Sequence, residues 1–210
     1  MIFETTISKK DWLKKEYIKH MKELNDFWEL EWKHNQPRVF LMENKKTIDL
    51  FRRKETKKWQ VAAIYKTDIF LLSPENYEKD SIFKYSQKEY SALLKHELCH
   101  CFFQIISERK NKVIWLDEGL AIYLSEMTDF KYKKPIKLKH FLDSFHEHKE
   151  KVYQESGFAV KALVETQGKE KIIELVKKLK RAKLKKSFQD LFNEIYGFEL
   201  NYKNINNLLK

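Results

Sequence analysis

The sequence has few of the residues that form tight turns, with four glycines and three prolines among 210 residues. Sandwiches and barrels built from many short strands need such residues at their turns. Their scarcity argues against those folds and favours long helices. Hydrophobic residues make up 42% of the chain and aromatic residues 14%, which is enough to form a packed core instead of a disordered chain.

Cysteines and long apolar runs are also scarce. The two cysteines, Cys99 and Cys101, lie two positions apart in a predicted helix, so their side chains point about 200° apart and cannot form a disulfide. We expect Cys99 to be a packing residue and not a metal ligand or redox sensor. No apolar stretch has the length of a signal-peptide core or a transmembrane helix. The expectation is a cytoplasmic protein that does not enter a membrane.

Positive charge is in excess, with a formal net charge of +11. Much of the excess lies in a basic run near the C-terminal end, formed by Lys177, Lys178, Lys180, Arg181, Lys183, Lys185 and Lys186. Such a run can bind nucleic acid, acidic lipid or an acidic partner, or it can be a solvated helix face. We favour the solvated face, because no aromatic residue alternates with the lysines to stack on bases. Nucleic acid is therefore not an expected partner, and nothing in the sequence indicates an oligomeric state.

Hydrophobic periodicity and turn residues predict the order of the secondary-structure elements. Strands are predicted over 38–43, 59–65 and 69–72, and helices over 9–34, 44–54, 89–107, 116–127, 153–166, from 169 into the basic run, and over 202–209. A loop is expected from Pro74 to about residue 87. Gly168 and Gly197 are expected to end helices, and Ser187 with Asp190 to begin one.

The order of these elements is a helix, then mixed strands and helices, then helices alone, which is typical of the α+β class. We expect one compact unit in three parts. These are an N-terminal helical segment at 1–36, a core at 37–130, and a helical C-terminal part at 131–210. The segment 130–149 shows no clear pattern.

One segment, His96-Glu97-Leu98-Cys99-His100, fits the pattern H-E-x-x-H. Histidines four residues apart lie one turn apart on the same helical face, so both imidazoles can reach a single metal ion. Glu97 follows the first histidine, so its carboxylate can approach a water molecule on that ion. An apolar stripe on another side is expected to face the core, namely Leu94, Leu98, Cys101, Phe102 and Ile105. We therefore expect the two histidines to face a cleft.

A second predicted helix supplies a third candidate ligand. Its apolar residues share one face, whereas Glu118 lies on the opposite face beside the small residue Ala121. A carboxylate there would complete three protein ligands and leave a fourth position open, which is typical of catalytic zinc sites. Imidazole and carboxylate ligands suit zinc best. Asp117 either orients one of these ligands or is an ordinary acidic residue at a helix N-terminus.

The motif followed by Trp115-Leu116-Asp117-Glu118-Gly119-Leu120-Ala121-Ile122-Tyr123 resembles the gluzincin metallopeptidases, specifically their small peptidase-MA-like families. That resemblance implies a zincin-like fold, with a small mixed β-sheet over the motif helix and helices after it. It also implies a zinc-dependent peptidase that acts on a peptide or protein. The zinc ligands would be His96, His100 and Glu118, and Glu97 would be the general base. Seventeen residues separate His100 from Glu118, slightly fewer than in the larger relatives.

Two further segments extend the resemblance. Tyr153-Gln154-Glu155-Ser156-Gly157-Phe158 is similar to a third block of the family, a helix opened by a tyrosine that stabilises the oxyanion in aminopeptidase-like members. Tyr153 is our candidate for that role, although it could be a core residue, and the alternatives are Tyr123, His140, His146 and His148. The predicted strands 59–65 and 69–72 resemble the last two of the zincin sheet, in which the first is an antiparallel edge strand that pairs with substrate.

Three alternatives compete with the peptidase hypothesis. Deformylases also carry H-E-x-x-H, but they add a cysteine ligand from an upstream strand, and both cysteines of this chain lie in the motif helix. A catalytically silent binding module is expected to lack a ligand or Glu97. A basic nucleic-acid-binding protein would require the motif to be incidental. Endopeptidase and aminopeptidase activity both stay open, as does a role for 1–36 or 130–149 in covering the cleft.

Overall fold

The computed structural model describes residues 6–110, 113–149, 151–182 and 184–209. Within these residues the chain forms three strands and ten α-helices. The strands are β1 (Arg38–Met42), β2 (Ala62–Tyr65) and β3 (Asp68–Leu72). The helices are α1 (Asp11–Trp28), α2 (Lys45–Arg52), α3 (Tyr77–Asp80), α4 (Gln87–Ile106), α5 (Ile114–Leu124), α6 (Met127–Phe130), α7 (Val152–Gln167), α8 (Lys169–Lys177), α9 (Lys185–Tyr196) and α10 (Tyr202–Leu208). A mainly helical fold with a small sheet agrees with the expected α+β class.

The sheet is mixed and has the strand order β1-β3-β2. The central strand β3 runs parallel to β1 and antiparallel to β2, so the expected antiparallel edge position of β2 is confirmed. Both β2 and β3 pack against α4, and the Tyr90 hydroxyl of α4 donates a 2.8 Å hydrogen bond to the carbonyl of Leu72. The sheet therefore lies directly against the helix that carries the motif.

Several predicted boundaries differ from the structure. Helix α1 ends at Trp28, six residues before the predicted end, because Glu29 takes up a left-handed conformation with a φ of 53°. Strand β2 begins at Ala62 and not at Trp59. The residues before it form a turn, in which the Gln60 N–H donates a 2.9 Å hydrogen bond to the carbonyl of Lys57.

Other differences concern turns and helix starts. The predicted loop after β3 contains a 3₁₀ turn at Pro74–Asn76 and the short helix α3. The prediction that Ser187 begins a helix is wrong, because α9 begins two residues earlier. Ser187 lies in its first turn, where its Oγ accepts a 2.9 Å hydrogen bond from the N–H of Leu184. Gly168 and Gly197 end α7 and α9 as predicted.

Helix α4 lies at the centre of the fold and is buried on more than one of its faces. It packs against α1, α5, α8 and the sheet, and most of its residues from Tyr90 to Phe103 are buried, including both cysteines. Ile105, expected in the buried stripe, is 37% exposed. The other four residues of the expected stripe, Leu94, Leu98, Cys101 and Phe102, are buried as predicted. Burial also extends beyond that stripe to His96 and His100.

The basic run spans the end of α8, a 3₁₀ turn and the start of α9, and Lys183 lies outside the described residues. Three of its members form ion pairs with glutamates: Lys178 with Glu174, Lys180 with Glu108, and Arg181 with Glu194. These exposed pairs are typical of a solvated surface. Among the described residues, no helix combines the length and apolar character needed to cross a membrane.

The segment 131–149 has little regular structure but is held at several points. One oxygen of the buried Glu155 accepts hydrogen bonds from the backbone N–H groups of Lys139, His140 and Phe141 at 2.9, 2.6 and 3.0 Å. The backbone carbonyls of Ser144 and Phe145 accept hydrogen bonds from the first residues of α5. The segment is therefore fixed to the body of the protein and carries its side chains in defined positions.

Helices α5 and α7 approach closely at two glycines. A Cβ on Gly119 would lie 2.6 Å from the carbonyl oxygen of Ser156 and 2.7 Å from a methyl group of Val160. A Cβ on Gly157 would lie 3.0 Å from the Cβ of Ile122 and nearer still to its Cγ2. No larger residue fits at either position unless the two helices move apart.

We expect Gly157→Ala to lower the free energy of unfolding by about 1–3 kcal/mol, because the added methyl group overpacks the interface. Denaturant titration measures this loss. Ile122→Ala removes the Cγ2 that the new methyl group would meet, so the cost of Gly157→Ala should shrink in that background. Additive effects of the two substitutions would contradict the close contact.

Candidate metal centre

The two histidines of the motif lie one turn apart on α4 and are both buried. Ser86 caps the start of this helix, where its hydroxyl accepts a 3.1 Å hydrogen bond from the N–H of Glu89. His96 is 9% exposed and His100 is 8% exposed. Their Nε2 atoms are 3.1 Å apart, so both rings direct the same atom to one point.

The carboxylate of Glu118, on α5, faces the same point. Its Oε2 lies 3.5 Å from Nε2 of His96 and 3.6 Å from Nε2 of His100. An ideal tetrahedral zinc site with bonds of about 2.05 Å separates its ligand atoms by about 3.35 Å. The three atoms match that spacing, so His96, His100 and Glu118 lie close enough to bind one metal ion.

The hydrogen-bond partners of His96, His100 and Glu118 also indicate that a cation fits between them. Asp117 is 1% exposed, and its Oδ1 accepts a 2.7 Å hydrogen bond from Nδ1 of His100. That bond fixes the ring so that Nε2 of His100 faces Oε2 of Glu118 at 3.6 Å. No described residue donates a hydrogen bond to Oε2 of Glu118. Acceptor atoms brought this close in a buried place repel one another unless a proton or a metal cation lies between them. A metal ion that displaces the proton of His100 would therefore fit these residues.

The charges around His100 decide its protonation. Burial lowers the pKa of His100, but the carboxylates of Asp117 and Glu118 together outweigh burial and raise the pKa to about 9. Burial raises the pKa of Glu118, and the neighbouring histidines reverse that effect and lower it. The position of Asp117 favours the ligand-orienting role over that of an ordinary helix-terminal acid.

Glu97 lies beside the trio with its carboxylate free. It is half-buried, and no described residue gives it a hydrogen bond or an ion pair. Burial is the main cause that raises the pKa of its carboxyl, and the charges of His96 and His100 act in the opposite direction. A carboxylate of this kind can accept a proton from a water molecule held at the metal site.

His148 and Tyr153 lie near Glu118, and the charge of Glu118 also reaches Tyr132. The Tyr153 hydroxyl lies 3.2 Å from Nδ1 of His148, and the same Nδ1 lies 3.5 Å from Oε1 of Glu118. Burial, then the charge of Glu118, raises the pKa of Tyr153 above its ordinary range. Burial and Glu118 also raise the pKa of Tyr132 to about 12. Both hydroxyls therefore stay protonated near neutral pH.

The remaining candidates for the oxyanion role contact other residues. His140 lies 3.6 Å from Asp143, the ring of His146 packs on Phe145, and the charges that act on Tyr123 come from Glu165, Lys161 and Asp129. The structure therefore brings Tyr153 and His148 to the candidate site. Sequence reasoning missed Tyr132, because nothing in the pattern of 130–149 indicates which side chains turn inwards.

The chain matches no protein-family model, no curated protein and no solved structure with which it was compared. The assignment of a function therefore depends on the residues of the site and on their geometry.

We expect zinc added to metal-free protein to bind at about one equivalent per chain and to release about one proton at pH 7. The proton comes from His100, because its pKa is about 9 in the absence of the ion. Calorimetric titration in buffers of different ionisation enthalpy measures both quantities.

His140→Ala is the matched control, because His140 is not one of the three candidate ligands. It should leave the zinc stoichiometry and the number of released protons unchanged. The double variant His96→Ala, His100→Ala should bind no zinc. Wild-type protein that takes up no zinc from a zinc-containing buffer would refute the metal centre.

Proposed function

We propose that the protein is a zinc-dependent peptidase of the gluzincin type with a zincin-like fold. One observation carries the proposal: side-chain atoms of three buried residues, His96, His100 and Glu118, converge on one point, and the half-buried Glu97 follows directly after the first of them. A structural zinc site uses four protein ligands, whereas three ligands with an open position are typical of a catalytic one. The two short sequence motifs that resemble this group carry these same residues.

Two imidazoles and one carboxylate favour zinc over harder ions such as magnesium. Held by His96, His100 and Glu118, a zinc ion would act as a Lewis acid on a carbonyl and lower the pKa of a water molecule to about 7. Asp117 supports this arrangement by orienting His100 through the hydrogen bond at Nδ1.

Glu97 is the proposed general base. Its half-buried carboxylate accepts a proton from the attacking water and then delivers that proton to the leaving amine. Burial moves its pKa upwards, which makes the first of these transfers easier, because a carboxylate with a higher pKa is a stronger base. The position one residue after His96 keeps the carboxylate near the water without making it a ligand.

Tyr153 is the proposed donor to the oxyanion. Its hydroxyl stays protonated, because burial and Glu118 raise its pKa, and a protonated phenol can donate a hydrogen bond to the developing negative charge. His148 orients this hydroxyl through the 3.2 Å contact at Nδ1.

The edge strand β2 is the proposed place for the backbone of a peptide. Among the residues that the structure describes, it pairs only with β3, and an edge strand can add an extended peptide by main-chain hydrogen bonds. The small residues Ala62 and Ala63 allow a peptide to lie close to this strand. Trp59, in the turn before β2, packs edge-on against Tyr153 with ring centroids 6.4 Å apart, which connects the strand to the proposed site.

We expect Glu97→Gln to lower the rate of peptide cleavage by about 10²–10⁴-fold, because the amide cannot accept the proton. Zinc content should stay at the wild-type value, because Glu97 is not a ligand. Cleavage of a peptide library followed by mass spectrometry measures the first quantity, and elemental analysis the second.

Glu89→Gln, an exposed carboxylate two turns earlier on α4, is the matched control and should cleave at the wild-type rate. A Glu97→Gln variant that is as active as wild type would refute the assigned base. A wild-type protein that binds zinc but cleaves no peptide would favour the binding-module alternative.

We expect Tyr153→Phe to lower kcat by about 10²–10³-fold with unchanged zinc affinity, because it removes one donor to the oxyanion. His148→Gln should lower kcat by a smaller factor, because His148 acts through Tyr153. Steady-state kinetics on one cleaved peptide compares the two variants. A larger loss of kcat in His148→Gln than in Tyr153→Phe would assign the donor role to His148. A Tyr153→Phe variant with the wild-type kcat would exclude Tyr153 as the oxyanion donor.

A further inference from the structure

Trp59 differs from the other four tryptophans of the chain in its exposure. Trp28, Trp32 and Trp115 are buried, and Trp12 is partly buried. Trp59 is 43% exposed. Its ring therefore presents an apolar area to solvent, and tryptophan is the residue type that most often contributes strongly to binding at protein surfaces.

The turn that carries Trp59 is fixed at both of its ends. The N–H and the Oγ of Thr56 donate hydrogen bonds to Oδ1 of Asp49 on α2, the first of them at 2.9 Å. The carbonyl of Val61 accepts a 2.9 Å hydrogen bond from the N–H of Leu72 on β3. Because the turn is already held in place, little conformational entropy is lost when a ligand contacts Trp59.

A chain of direct contacts connects Trp59 to the candidate metal centre. Its ring packs edge-on against that of Tyr153, with centroids 6.4 Å apart. The ring of Tyr153 stacks on that of His148 at 6.0 Å, and Nδ1 of His148 lies 3.5 Å from Oε1 of Glu118. These three rings form an aromatic surface that begins at a candidate metal ligand and ends at the turn before β2.

The aromatic surface favours one kind of ligand. Trp59 and His148 are exposed and Tyr153 is partly exposed, so a large apolar side chain that covers the rings would leave water and gain contacts with them. A cationic side chain is disfavoured, because Lys57 and Lys58 directly precede Trp59 and are both exposed.

We propose that Trp59 binds a large apolar side chain of the peptide substrate and so determines which peptides the site accepts. This inference rests on the proposed peptidase function and names the substrate class, which is peptides with a large apolar residue close to the scissile bond. Two sources have this chemistry, aromatic side chains and large aliphatic ones. Trp59 is a specificity residue and takes no part in proton transfer or zinc binding.

The test measures binding without cleavage. Zinc-loaded Glu97→Gln protein is immobilised, and four random hexapeptide libraries are passed over it. An aromatic library contains Phe, Tyr and Trp, an aliphatic library contains Leu, Ile and Met, a basic library contains Lys and Arg, and a reference library contains none of these residues. Mass spectrometry then gives the retention of each library.

The expected result is at least about tenfold stronger retention of the aromatic or the aliphatic library than of the reference library. The library that is retained more strongly identifies the source of the apolar side chain. Adding Trp59→Ala should remove this preference, and Trp59→Phe should keep most of it, because a large ring is still present.

Leu50→Ala is the matched control, since Leu50 is exposed to a similar extent, 47%, but lies on α2. It should keep the full preference. Elemental analysis should find the same zinc content in every variant, so that a lost preference is not the result of a lost metal site.

Equal retention of all four libraries, strongest retention of the basic library, or no retention of any library would overturn the inference. So would a preference that Trp59→Ala leaves intact. The peptidase function is judged separately by cleavage with the wild-type protein. Cleavage that ignores large apolar residues would reject the role of Trp59 alone, whereas a preference that depends on Trp59 in a protein that cleaves no peptide would reject the peptidase function alone.

Discussion

The structure depends on a group of polar side chains buried where the main helices meet. A carboxylate and two imidazoles that converge in the protein interior are costly unless each charge and lone pair is compensated. Asp117 compensates one side of His100 through a 2.7 Å hydrogen bond. The opposite sides of His96, His100 and Glu118 face one another at 3.1–3.6 Å, and a metal ion is the partner that fits this arrangement.

Helix packing places these groups together. Helix α5 lies between α4 and α7, and α7 comes so close that glycine is required at Gly119 and Gly157. Gly119 follows directly after Glu118, so the residue that permits the close approach is next to the residue that faces the histidines. The short motif around Glu118 is therefore explained both by packing and by metal chemistry.

A second constraint comes from Glu155, on the first turns of α7. Its carboxylate binds three backbone N–H groups of 131–149 and so fixes a segment that has little regular structure of its own. This segment carries His148, whose Nδ1 lies 3.5 Å from Oε1 of Glu118, and Tyr132, whose pKa the charge of Glu118 raises. One buried carboxylate thus determines the position of side chains that helices do not hold.

The sequence by itself determined the features that depend on local periodicity. Such patterns gave the histidine spacing on α4, the order of the helices and the glycine ends of α7 and α9. They also gave Glu118 as a third candidate ligand, which lies close enough to the histidines to bind the same metal ion. Only the tertiary structure decided that burial on α4 extends beyond the apolar stripe to both histidines, that β2 starts after a turn containing Trp59, and that Asp117 holds His100. It alone also brought His148 to within 3.5 Å of Glu118, because this contact joins residues far apart in the chain.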